Sequence, residues 1–126
     1  MNTNNVEITE ETMKERGILP LTAAEIEKTI IGKTIKGDWA NERKYVCYMN
    51  ARGVAEGEND LGTHAIGKWF INKNNNTFSV EWESYWDKWC GRVYNIEEKI
   101  VLFDEQTNKI RTSIHTIEDG RRELKL

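Results

Sequence analysis

The sequence predicts a mainly β protein: a single small antiparallel up-and-down β-barrel of about eight strands with an N-terminal helix. Three observations predict it. From Lys33 onward the chain breaks into short segments rich in β-branched and aromatic residues, bounded by turn-forming stretches that leave no room for crossover helices. The one proline, Pro20, precedes all of them, so no strand loses a donor from its hydrogen-bond ladder. A chain of 126 residues has room for one domain and one core. A sheet of about eight strands closes naturally around an interior that holds side chains or one small ligand. An open sheet folded over the helix and a sandwich are the arrangements that compete on the same spacing.

Residues 1–20 read as an N-terminal tail rich in Asn, Thr and Glu, expected to be weakly ordered or to form a short docked helix. Residues 21–126 read as helix plus barrel. In "LPLTAAEIEKTIIGK", Thr22 and Glu25 make a capping box, each side chain satisfying the other's free N–H. Leu21 and Ile26 form the hydrophobic staple, and Gly32 offers a left-handed stop. Ile26 and Ile30 share one face, so this short helix reads as a plug or lid that needs the barrel to stand.

The strand candidates are "KTIKGDW", "RKYVCYMN", the short "VAEG", "HAIGKWFIN", "NTFSVEWE", "WCGRVYNI", "KIVLFD" and "KIRTSIHTI". Alternation within residues 77–83 puts Phe78, Val80 and Trp82 on the inner face, with Thr77, Ser79, Glu81 and Glu83 outside. In the next strand Cys90, Arg92, Tyr94 and Ile96 alternate with Trp89, Gly91, Val93 and Asn95, and either set fits the interior. If the first set faces inward, Arg92 lines a pocket and needs a partner; if not, it lies across the outer surface. In the last strand Ile110, Thr112 and Ile114 claim the interior, leaving Arg111, Ser113 and His115 outside.

Charge and composition exclude several functions. Lys plus Arg number 18 against 21 Asp plus Glu, a net charge of -3, so the basic footprint of a nucleic-acid binder is missing. No apolar run approaches the length of about 20 residues that spans a bilayer, which argues against a membrane role. The N-terminal stretch lacks the basic and apolar regions of a secretory signal. The expected location is therefore cytoplasmic if this N-terminus is the native one, and periplasmic or secreted if a leader was removed. Cys47 and Cys90 form no CxxC pair, and His64 and His115 are the only histidines, so no metal site is expected and the thiols read as small buried hydrophobes. A disulfide requires their strands to be neighbours. No phosphate loop, dinucleotide fingerprint or metalloprotease motif points to a cofactor.

The order of the helix, "IIGKTIKGD", "HAIGKWFIN", "FSVEW" and "WCGRVY" resembles a bacterial family of small proteins known as domain-of-unknown-function family 995. The similarity covers roughly residues 21–117: a helix-terminal glycine, a Gly-x-Trp strand, a Trp-ending strand, then Cys and an aromatic. Gly37 and Trp39 near the start of the barrel also resemble the wider lipocalin-like, or calycin-like, group. The resemblance implies a small up-and-down barrel, usually exported, with no established activity. Two departures stand out. Ser79 occupies the position where the family tends to carry a second cysteine, so Cys90 has lost its usual partner, and the leader is missing; both weigh against an oxidising compartment.

The reading of function that follows is binding of a small, largely apolar ligand, with Trp39, Trp69, Trp82 and Tyr94 lining the barrel and Arg92 as polar anchor. One alternative is an isomerase or cyclase on the same barrel, using Glu81 or a histidine for proton transfer. The other is a protein-binding module whose contact is an aromatic rim, Tyr85 and Trp86 beside Asp87 and Lys88.

Overall fold

Strand pairing in the computed structural model, which describes residues 8–40 and 42–126, runs through every neighbour in sequence order and returns to its start. The strands are β1 (Lys33–Trp39), β2 (Lys44–Met49), β3 (Val54–Asn59), β4 (His64–Asn72), β5 (Thr77–Trp82), β6 (Trp89–Ile96), β7 (Lys99–Asp104) and β8 (Ile110–Asp119). All pairs are antiparallel, and β1 bonds to both β2 and β8, so the eight strands form a closed barrel. Closure leaves no edge strand open for pairing with another chain.

Asparagines set several of the turns. The Asn50 side chain accepts from the Arg52 and Val54 N–H groups at 2.8 and 3.0 Å, and Asn59 accepts from Leu61 and Thr63 at 3.0 and 2.9 Å. The turn between β6 and β7 is made differently. Glu97 and Glu98 both hold positive φ, 50° and 72°, between the paired residues Ile96 and Lys99. Two-residue hairpins with that geometry favour Asn and Gly, so a pair of glutamates stores strain here.

Helix α2 (Ala23–Ile30) plugs one end of the barrel. Its capping box is formed, with Thr22 N–H donating to Glu25 Oε1 at 2.9 Å and Glu25 N–H to Thr22 Oγ1 at 3.2 Å. The Asn76 side chain accepts from Ala23 N–H at 2.9 Å, tying the helix start to the β4–β5 turn. Ile26 and Ile30, fully buried, enter the lumen cluster with Ile35, Met49 and Phe78. Gly32 turns the chain into β1 at φ 77°, its N–H donating to Met49 O.

The N-terminal stretch is more than a tail. Residues 10–15 form helix α1 (Glu10–Glu15), capped by Thr9, and Met13 is fully buried against Tyr94, Val101 and Phe103. These three lie on the outer face of β6 and β7, so the barrel has a second apolar cluster outside its wall. The C-terminal segment covers another part of the outside. Arg122 N–H donates to Thr34 Oγ1 at 2.8 Å, and Arg121 pairs with Glu56 at 3.0 Å. Val46 alternates with the inward-facing Tyr45 and Cys47, and it too is fully buried.

The last strand departs from simple alternation. Leu102 pairs with Thr112 and Phe103 with Ile110, which leaves Arg111 as the extra residue of a bulge. Thr112 and Ile114 are buried as expected, but Ile110 packs with the outer cluster of Tyr94 and Phe103, correcting its assignment to the interior. A bulge shifts the phase of every residue beyond it, and no alternation pattern can anticipate that. Among the described residues, no helix is long and apolar enough to cross a membrane.

Three stability measurements test this account. Thr22→Ala is expected to cost about 1 kcal/mol in urea denaturation through the lost cap. Met13→Ala is expected to cost about 2 kcal/mol or more, as befits a buried methionine, and a negligible loss would mean that α1 does not dock. Glu98→Gly is expected to gain about 1 kcal/mol and raise the melting temperature by relieving the left-handed backbone.

Candidate functional site

The end of the barrel opposite α2 carries the end of β1, the start of β6 and the loop 83–88 between β5 and β6; we call it the mouth. The inner wall below it is built from small residues. Gly37, Ala55, Gly57, Ala65, Gly67 and Gly91 are all buried on strands. A Cβ on Gly57 would meet Cys47 Sγ at 3.0 Å and the rings of Trp86 and Trp82 at 3.0 and 3.1 Å. The missing side chain is therefore the space in which the indoles lie.

Those indoles form a continuous run of rings. Trp82 meets Trp86 edge-on at 4.8 Å between centroids, and Trp86 meets Trp39 at 5.3 Å and 79°. Trp39 lies 4.8 Å from Tyr45, Tyr45 6.1 Å from Trp89, and Trp89 6.0 Å from Phe78. Edge-to-face pairs are each worth about 0.5–1.5 kcal/mol beyond area burial. Trp86 is the joint of this run, which corrects its place at the rim. Its backbone N–H donates to Ser84 Oγ at 3.2 Å, and the side chain turns into the mouth, 8% exposed, while Tyr85 stays outside at 74%.

Polar groups in this aromatic interior are unevenly satisfied. The Tyr45 hydroxyl is 2.6 Å from Thr112 Oγ1, and burial pushes its pKa well up. The indole N–H groups of Trp82, Trp86 and Trp89, in contrast, are buried and have no hydrogen-bond partner among the described residues. Arg111 reaches from the β8 bulge to the mouth loop, with Nη2 3.5 Å from Lys88 O and 3.5 Å from Asp87 Oδ2. Its Nε is also buried, with no partner among the described residues. Sequence alternation gave no sign of this contact with the mouth loop, because the bulge that carries Arg111 depends on the register between β7 and β8.

The expected lining residues therefore separate into three places. Trp39 and Trp82 converge at the mouth. Trp69 lies at the α2 end, where its indole donates to Asn50 O at 2.7 Å. Tyr94 and Arg92 are outside the barrel, beneath α1, correcting their place in the lining. The Tyr94 hydroxyl donates to Glu10 Oε2 at 2.7 Å, and Arg92 Nη1 lies 3.4 Å from both Glu10 oxygens. Burial and the Glu10 hydrogen bond raise the Tyr94 pKa. The other set of that strand, Trp89 and Val93, fills the lumen. Both faces of β6 are apolar because α1 covers the outer one, so hydrophobicity alone could not choose between them.

The acid–base candidates also lie outside. Glu81 is exposed, His64 pairs with Glu58 at 2.9 Å, and His115 stands 3.6 Å from Asp38 with both side chains substantially exposed. Among the described residues there is no group of three or more His, Cys, Asp and Glu side chains that could hold a metal ion.

The thiols are separate and form no disulfide with each other, Cys47 in the lumen on β2 and Cys90 on β6, two strands that are not neighbours. Burial raises the Cys47 thiol, and burial with a hydrogen bond to Glu105 pushes Cys90 up to about 11. A thiol probe at neutral pH is expected to label half-exposed Cys90 slowly in the folded protein and Cys47 only after denaturation. Rapid labelling of Cys47 under native conditions would show that the lumen opens. Compared with family models, curated proteins and solved structures, the chain matches none.

Proposed function

We propose that the barrel is a binding protein for one small, flat, largely apolar molecule that carries hydrogen-bond acceptors, held at the mouth where Trp86 now sits. The observation that carries this reading is that the buried indole N–H groups of Trp82, Trp86 and Trp89 have no acceptor among the described residues. A buried donor left unpaired costs about 1–3 kcal/mol, and the two that stay in the wall when Trp86 moves aside, on Trp82 and Trp89, suit a guest whose acceptors they would meet.

The way in is through Trp86. Its side chain is held by ring contacts, on a loop outside the regular strands, whereas Trp82 and Trp89 belong to the wall. When Trp86 swings out, it leaves a slot bounded by Trp39, Trp82 and the bare backbone of Gly57. That slot is shaped for a planar ring system. The lipocalin-like reading of Gly37 and Trp39 accords with such a role.

Titration with the neutral fluorophore phenylnaphthylamine tests it. Saturable binding of one dye per chain is expected, with a change in tryptophan fluorescence. Trp86→Ala is expected to tighten binding by about tenfold because the resident ring no longer competes, and Trp82→Ala to weaken it. If the wild type and Trp86→Ala are both folded and neither binds, the lumen is a packed core and the reading fails.

A further inference from the structure

We propose that the molecule bound at the mouth is an organic anion, and that its acidic group is received by Arg111, the residue that now holds the loop carrying Trp86. This rests on the binding reading above and specifies the head group. Arg111 is the extra residue of the β8 bulge, and its guanidinium reaches the 83–88 loop. Its two contacts there, to Lys88 O and Asp87 Oδ2, are each 3.5 Å, long beside the roughly 2.7–2.9 Å of a well-made charged hydrogen bond. Its Nε, meanwhile, is buried and has no partner among the described residues.

A guanidinium presents its N–H donors as a planar fork that matches a carboxylate, and neither present contact fills that fork. Asp87 is a poor competitor, because its side chain is 85% exposed and well hydrated. An acid arriving from solvent takes its place on Arg111. The same step weakens the hold on the loop, so head-group recognition and withdrawal of Trp86 are coupled. The apolar body then enters beside Trp39 and Trp82, within reach of the unpaired indole donors. The other cation at first placed in the lining, Arg92, is already engaged by Glu10 on the far side of the wall.

Two fluorophores with the same apolar body test the proposal: phenylnaphthylamine, which is neutral, and anilinonaphthalene sulfonate, which adds an acidic group. With the full chain, the anionic dye is expected to bind about tenfold or more tightly than the neutral one. Arg111→Gln is expected to abolish that difference by costing the anionic dye its partner, while the neutral dye binds no more weakly than to the wild type. Asp87→Asn, at an exposed position that does not put folding at stake, is expected to widen it by about threefold. Circular dichroism establishes that each variant is folded. Equal affinity for the two dyes in the wild type, or an Arg111→Gln variant that weakens both alike, overturns the role of Arg111 and leaves the binding site standing. Failure of both dyes to bind, in wild type and Trp86→Ala alike, overturns the site and the proposal together. If Arg111→Gln does not fold, an unchanged ratio in Asp87→Asn overturns the proposal by itself.

Discussion

The pairing of β1 with β8 closes the sheet, and the irregular geometry of that seam shapes the rest of the molecule. On the β1 side, Lys36 pairs with Thr116 and Gly37 with Ile114, so His115 is an extra residue; on the β7 side, Arg111 is another. Two bulges in one ten-residue strand bend it sharply and let a small barrel close. Gly37 sits opposite the first of them, where a Cβ would collide with Ser113 O and come within 2.9 Å of the Tyr45 hydroxyl. A side chain there would push the seam apart. Without the seam, β1 and β8 would each expose an unpaired edge.

The same seam governs what the lumen contains. Strands drawn this close leave room for large rings only where the facing wall is bare, and Gly57 provides such a place against Trp82 and Trp86. The aromatic run gains dispersion and edge-to-face contact but leaves three indole donors unpaired, so the interior combines tight packing with unmet polarity. Tyr45 shows the contrasting solution, since its hydroxyl meets Thr112, which itself donates to Asp38 O at 2.9 Å. A mouth with satisfied and unsatisfied donors side by side is built differently from an inert core. That difference is why the proposed ligand is placed there.

The outside of the barrel is dressed by local segments. Helix α1 covers β6 and β7, and Glu10 beneath it joins Tyr94 and Arg92 in a partly buried charged cluster. Such a cluster gives little net stability but strongly disfavours losing one partner, which fixes where the helix sits. The C-terminal segment crosses near β1 and β3 through Thr34 and Glu56. These coverings bury apolar residues on both faces of some strands.

That last feature marks the limit of what residue order could reveal. The sequence by itself determined the strands, the helix with its Thr22–Glu25 cap and Gly32 stop, and the inward face of β5, because each depends on neighbours within a few residues. The inward position of Trp82 was legible for the same reason. An open sheet and a sandwich stayed compatible with the same spacing until the pairing of β1 with β8 closed the barrel. The sequence could not determine the face of β6, since Arg92 and Tyr94 look inward-facing until α1 is known to lie over them. Nor could it show that Trp86 leaves the rim for the mouth or that Arg111 reaches the mouth loop, because both depend on distant loops and strand register. Tertiary structure decided those placements, for a physical reason: a side chain's burial is set by what the remote chain brings against it, and a single bulge can reverse the face that local alternation assigns.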